Sequence, residues 1–406
     1  MQNELGLTGK KAYNLTTFFF LYIAQSIPMS FFSTVIPVMM RQENFTLSAI
    51  GMLQLIKLPW ILKFIWSPLV DRYTTTTIQY KRWIFSSELI YAAIILSVAL
   101  LDFKTDFYTI VVLIIISFIA SATQDIATDA LAVLSFSRED KSLVNSMQSM
   151  GSFGGTLIGS GILLLLFHML GWNMILPCVA AFVCIAILPL FFNKNLEIHP
   201  KEESNRAKKA DFIYFFIRKG IWRQIGFLIL YYSGLIGTLA MLRPYLVDLG
   251  YTMKDIGMMS GVAGTFSGFF FSFLGGFIVR KIGRYKARIL FSVFVLMATL
   301  YFVGMSYCDT PTTMALYGGI VLLWGSYGMA TIIVYTTAMD CVRPGKEGTD
   351  FTIQTVLTHL SGMVVAIISG RLADHMGYHG LFIFESIIAA SSLAYILVAF
   401  RNPVEK

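Results

Sequence analysis

Twelve apolar runs, each long enough to cross a bilayer, punctuate the 406-residue chain. They lie near 14–40, 47–70, 84–101, 107–136, 144–168, 172–192, 223–247, 255–279, 288–306, 312–340, 350–374 and 379–400. A helix needs about 20 mostly apolar residues to traverse hydrocarbon. A backbone inside hydrocarbon must also satisfy its own hydrogen bonds. The sequence therefore predicts an all-α integral membrane protein with 12 transmembrane helices. Composition agrees: 56% of residues are hydrophobic and mean hydropathy is +0.70, which excludes an ordinary soluble domain. Met1–Lys11 is polar and no small-residue site precedes the second run, so no cleavable signal peptide is expected.

Charge placement predicts orientation. With the N-terminus inside, the inner loops and both termini collect 24 of the 31 Lys and Arg. The outer loops hold Arg41, Lys104 and Lys254, while Lys57, Lys63, Arg243 and Arg371 fall within or at the ends of runs. This asymmetry predicts N-in and C-in topology. It also accounts for the net charge of +8, so nucleic acid is not an expected partner. Cys178 and Cys184 share one run while Cys308 and Cys341 are far apart, so neither a disulfide framework nor a metal site is expected.

The chain repeats itself at half its length. Phe45-Thr-Leu-Ser-Ala-Ile-Gly-Met52 matches Tyr251-Thr-Met-Lys-Asp-Ile-Gly-Met258 at an offset of 206, and Gln148 falls on Gln354 at the same offset. Pro37 matches Pro244 at 207, and His168-Met-Leu-Gly-Trp172 falls on His375-Met-Gly-Tyr378 after one gap. The domains expected are an N-terminal six-helix bundle at 1–192, a hydrophilic cytoplasmic linker at 193–222, and a C-terminal six-helix bundle at 223–406. Because six is even, both copies enter the membrane in one direction, which is the parallel-repeat plan of major facilitator transporters. The chain has no P-loop, HExxH or Gly-x-Ser-x-Gly. No enzyme activity, catalytic residue or cofactor is expected, and transport would draw on an ion or solute gradient.

Polar groups inside the runs are the candidate functional residues, because charge in hydrocarbon is costly and faces protein or water. Asp125 and Asp129 lie four residues apart on one helical face, and Gln124 and Thr128 widen that stripe. They read either as a proton or substrate site or as carboxylates held for packing and gating. Lys57 lies deep in the second run with Gln54 one turn before it, and calls for a carboxylate partner or an anionic group on a substrate. Lys63 reads more readily as snorkelling to the inner surface. Gln25, Gln148 and Gln354 offer hydrogen bonds, to cargo or between helices. Tyr231 and Asp340 complete the substrate-side candidates. A lone His359 reads better as a packing hydrogen bond than as a proton relay.

Lys63-Phe-Ile-Trp-Ser-Pro-Leu-Val-Asp-Arg72 and Ala122-Thr-Gln-Asp-Ile-Ala-Thr-Asp-Ala130 resemble the AmpG-like branch of the major facilitator superfamily. That branch includes muropeptide permeases, acetyl-CoA transporters and RhtX/FptX-type siderophore permeases. The resemblance implies a proton-coupled importer in a bacterial inner membrane, working by alternating access. It implies an anhydro-muropeptide as cargo, with a siderophore as the alternative. It implies that Asp125 or Asp129 carries the coupling proton, that Lys57 meets an acidic group on the cargo, and that Gln54 and Gln124 join the other glutamines in hydrogen bonding it. Asp71 and Arg72 take the place of the family's gating motif, although Trp66-Ser-Pro replaces its usual glycine opening. The expected partners are a small solute, the proton and the bilayer, with the chain a monomer. A membrane-embedded transferase is the other-class alternative, but His168 and His375 lack partners in sequence for it.

Overall fold

The computed structural model describes residues 9–45, 53–198, 207–208, 211–308 and 310–401, and every regular element among them is helical. The first helix, α1 (Gly9–Gln42), runs through Pro28 and Pro37. The second apolar run is not one helix. It is a 3-10 turn (Leu53–Lys57), α2 (Leu58–Leu62), a second 3-10 turn (Lys63–Ile65) and α3 (Ser67–Arg72). Pro59 and Pro68 are the second residues of α2 and α3, in the first turn where a missing N–H costs nothing, and so restart the helix twice. Helix α4 (Thr77–Val98) opens on a capping box between Thr76 and Gln79. A turn follows in which the backbone N–H groups of Thr105 and Lys104 hold the Asp102 carboxyl below its usual range.

Helix α5 (Phe107–Ser135) buries almost all of its C-terminal half. Next come α6 (Lys141–Leu157), a π-helical turn (Ile158–Ile162), α7 (Leu163–Ala186) and α8 (Leu188–Phe192). The short α9 (Asp211–Ile217) precedes α10 (Ile221–Asp248). A continuous helical stretch then runs through α11 (Met253–Ile256), a π-helical segment (Gly257–Gly264) and α12 (Thr265–Ile282). The last three are α13 (Arg284–Ser306), α14 (Thr313–Asp340) and α15 (Glu347–Ala399).

Among the described residues, eight helical stretches are long and apolar enough to cross a membrane. Two of them, Lys141–Phe192 and Glu347–Ala399, have 52 and 53 residues, far more than one crossing requires. Each is interrupted at a glycine with positive φ: Gly171 (φ 73°, ψ 177°) and Gly377 (φ 67°, ψ 176°). Only glycine adopts these angles without strain, and the two breaks are 206 residues apart.

The chain forms two compact units. Unit 1 is Met1–Ser137, Gly151–Tyr214 and Val342–Ile353, and unit 2 is Arg138–Met150, Phe215–Cys341 and Gln354–Lys406. Unit 1 has an apolar core around Phe31, Phe32, Phe118 and Trp172. Within it, Gly151, Gly155 and Gly159 lie on α1: a Cβ at Gly151 would stand 2.7 Å from Tyr22 Cβ, and Gly155 and Gly159 are equally tight against Ser26 and Ile27. Residues rise together in these pairs, so α1 and the α6 stretch run parallel at backbone contact. Unit 2 has its own core, around Tyr245, Phe291, Phe302 and Phe382.

Candidate functional site

In unit 1 the two carboxylates of α5 meet a lysine that the sequence placed at the surface. Lys63, 2% exposed, forms an ion pair with Asp125 Oδ2. The break between α2 and α3 turns it inward: depth counted along an unbroken helix would have sent this side chain toward the aqueous edge. Gln25 Nε2 donates to Asp125 Oδ1 at 3.0 Å, and Tyr22 OH donates to Asp129 Oδ1 at 2.7 Å. Tyr22 and Gln25 occupy one face of α1 at a three-residue spacing. They address Asp129 and Asp125 in descending order, so α1 and α5 run antiparallel here.

The electrostatics follow from counting. One ammonium faces two carboxylates, all of them nearly or fully buried. Removing charge from water costs several kcal/mol per ion unless it is compensated. The Lys63–Asp125 pair is compensated by its own geometry and by Gln25. Asp129 has the Tyr22 hydroxyl, a neutral donor, and a neighbouring carboxylate one turn away.

A second cluster lies at Asp71. Its Oδ1 accepts from the backbone N–H of Gly348 at 3.1 Å. Its Oδ2 accepts from the N–H of Thr349 at 2.6 Å and from the Thr349 hydroxyl at 2.7 Å. These are unpaired donors of the first turn of α15, and the helix dipole adds to the attraction. Arg343 grips Asp350 with two charge-assisted bonds of 2.8 and 2.6 Å, and reaches Asp211 through its backbone carbonyl at 2.8 Å. Arg72, by contrast, is exposed, with its guanidinium over the Tyr73 ring.

The remaining candidates scatter. Lys57 is half-buried at the end of the first 3-10 turn and has no ion pair among the described residues. The side chain of Gln54 lies outside the described residues. Gln124 is buried, with no hydrogen-bond partner for its amide among them. Gln148 is half-buried on α6. In unit 2, Gln354 accepts from Gln224 Nε2 at 3.3 Å and donates to the Ala338 carbonyl at 3.0 Å. Tyr231 is buried and donates to the Arg288 carbonyl at 3.1 Å. Its neighbour Tyr232 instead lines a cavity of about 330 Å³ with Tyr327, Tyr335 and His359. Asp340 lies between Arg284, at 2.9 Å, and Lys141, at 3.7 Å.

Sequence reasoning missed four groups. Tyr22 was readable as the i−3 neighbour of Gln25. Lys63 depended on the helix break. Glu88 and Glu385 are acids in apolar runs, both fully buried, and a search for intramembrane charge would have found them. Ser369 donates to Glu385 at 2.6 Å, whereas neither oxygen of Glu88 has a hydrogen-bond partner among the described residues.

Comparison with known proteins gives this arrangement a family. The chain is 22% identical over 386 residues to the anhydromuropeptide permease of Escherichia coli K12, covering 93% of this chain and 78% of that one. It is 23% identical over 409 residues to a Rickettsia felis transporter bearing the provisional name AmpG 4, covering 97% and 98% of the two. In fold it is similar to the crystal structure of a bacterial homologue of the iron transporter ferroportin in an outward-facing state. The TM-score is 0.72 at 13% identity, with 96% of this chain and all of that chain covered. The sequence model of the Major Facilitator Superfamily matches residues 18–366, most of the chain. With an all-helical transporter fold, apolar spanning helices and AmpG-like permeases among its relatives, this multi-pass inner-membrane protein belongs to the major facilitator superfamily.

Proposed function

We propose that the chain is a proton-coupled importer of an anhydro-muropeptide, with Asp129 as the coupling-proton site. The observation that carries this reading is the buried cluster of one lysine and two carboxylates beneath Tyr22 and Gln25. With both acids ionised the cluster bears one net negative charge; a proton on Asp129 neutralises it. A neutral cluster is cheaper to enclose in a dry, closed intermediate than a charged one, so protonation favours the step that reorients the binding site. Asp125 keeps Lys63 compensated through the cycle. Lys57, Gln124, Gln148 and Gln354 serve the cargo, and Asp71 gates by holding the first turn of α15. The chemistry of the chain calls for no cofactor or catalytic group.

The same reading places twelve crossings in two six-helix bundles, 1–192 and 223–406, joined by 193–222, with both termini inside. Splitting the two longest helical stretches at Gly171 and Gly377 raises the eight to ten, and the broken second run and α4 would supply the other two. Parallel packing of α1 with α6 and antiparallel packing with α5 support the parity of the spans. The muropeptide is favoured by the name of the Escherichia coli relative, which matches along most of both chains.

The deciding experiment is uptake into proteoliposomes under an imposed pH gradient, comparing an anhydro-muropeptide with a ferric siderophore. Gradient-driven accumulation of the muropeptide alone is expected. Accumulation of the siderophore would replace the cargo while keeping the coupling. Equal uptake with and without the gradient would remove the proton from the mechanism.

A further inference from the structure

Unit 2 contains a basic cavity that none of these transport roles uses. It has a volume of about 840 Å³ and, among the described residues, is lined by seven Lys and Arg side chains against a single carboxylate, Asp340. Arg284 and Lys141 already share that carboxylate. Among the described residues, no acid pairs with Arg218, Arg223, Arg288 or Arg401. The positive-inside rule accounts for basic residues at exposed loops, but it does not require a buried one.

Arg288 is that buried one, at 8% exposure. Its guanidinium lies over Phe400 at 3.9 Å and Phe227 at 4.7 Å, and its Nε has no hydrogen-bond partner among the described residues. Cation–π contact offsets part of the cost of burying this charge but supplies no anion. Around it, Arg218 donates to the Cys341 carbonyl at 2.8 Å, Arg223 to the Ala399 carbonyl at 3.1 Å, and Arg284 to the Arg138 carbonyl. Each guanidinium has five N–H donors, so one such bond fixes its orientation and leaves donors for a ligand. Six of the seven cations are arginines, whose planar fork matches phosphate oxygens in pairs. The volume falls in the range of small-molecule sites.

We propose that this cavity binds a ligand bearing paired phosphate groups, held between Arg288 and the arginines at the start of α10. A single phosphate leaves most of the charge uncompensated; a diphosphate answers more of it. The proposal goes beyond the transport reading and does not depend on its cargo. Two sources share the chemistry: a soluble diphosphate and the headgroup of a diphosphate lipid such as cardiolipin.

The test uses the full chain in phosphatidylcholine nanodiscs, titrated calorimetrically with inorganic pyrophosphate. A second arm uses native mass spectrometry after exchange into phosphatidylcholine containing cardiolipin. The variants are Arg288→Gln and Arg218→Gln, the latter at an exposed position that folding tolerates. Saturable pyrophosphate binding, weakened about tenfold or more in both variants, assigns a soluble ligand. Cardiolipin retained by the wild type and lost from both variants, without pyrophosphate binding, assigns the lipid headgroup. If neither probe binds saturably, or if Arg218→Gln binds like the wild type, the proposal is overturned.

Discussion

Asp125 and Asp129 are one turn apart on the same helix, yet their surroundings differ. Asp125 is locked to Lys63 and Gln25. Replacing it with Asn breaks the ion pair and leaves Lys63 only the less direct Asp129 as counter-charge, a loss of up to about 3–5 kcal/mol. Asp125→Asn should therefore lower the melting temperature and the yield of folded protein, while Asp125→Leu paired with Lys63→Met recovers most of that stability. Asp129→Asn keeps a partner for Tyr22 and removes only the carboxylate proposed to carry the coupling proton. It should fold like the wild type, retain exchange of cargo across proteoliposomes without a gradient, and lose gradient-driven accumulation. Unimpaired accumulation in Asp129→Asn would move the coupling proton elsewhere, with fully buried Glu88 the next carboxylate to replace. Both aspartates were legible as candidates from their spacing, but the difference between their partners was not. It depends on Lys63, whose depth was misjudged because the second apolar run reads as one helix until the two proline restarts are seen in three dimensions.

At the scale of elements, the contact between α1 and the α6 stretch is a seam of glycines. Gly151, Gly155 and Gly159 recur at four-residue intervals in the sequence, a spacing that lets helices approach closely and suits motion and static packing alike. The structure shows backbone contact with no room for a β-carbon at Gly155. Gly155→Leu should separate the two helices, displace Tyr22 and Gln25 from the aspartates, and cost at least the 1–3 kcal/mol typical of overpacking. A thermal unfolding series comparing Gly155→Leu with Gly161→Leu checks this, because Gly161 has open space around its Cα. Equal destabilisation of the two variants would deny the seam a specific role. The Asp71 contact teaches a related lesson. Asp71-Arg72 stood out as a motif, whereas its partners, the N–H groups at the start of α15, lie nearly 280 positions away and belong to backbone that no side-chain pattern marks.

At the scale of the molecule, the internal repeat carried most of the information. It predicts a duplicated architecture, and the breaks at Gly171 and Gly377 recur at the offset that the sequence motifs share. The repeat is blunter about sites, because the polar residues differ between its copies. Asp125 and Asp129 have Thr331 and Tyr335 at the same offset, and the basic cavity of unit 2 has no sequence motif at all. The proposed topology rests on charge asymmetry and makes a direct prediction. In a background with Cys178, Cys184, Cys308 and Cys341 replaced by Ser, single cysteines at Lys104 and Lys254 should react with a membrane-impermeant maleimide on intact cells. Cysteines at Arg82 and Lys194 should react only after the membrane is opened, since they lie in inner segments of the same reading. An inverted pattern would turn the protein over and reverse the side from which Asp129 draws its proton. Labelling of Lys104 without Lys254 would break the equivalence of the two halves, and with it the argument that six crossings separate each residue from its repeat partner.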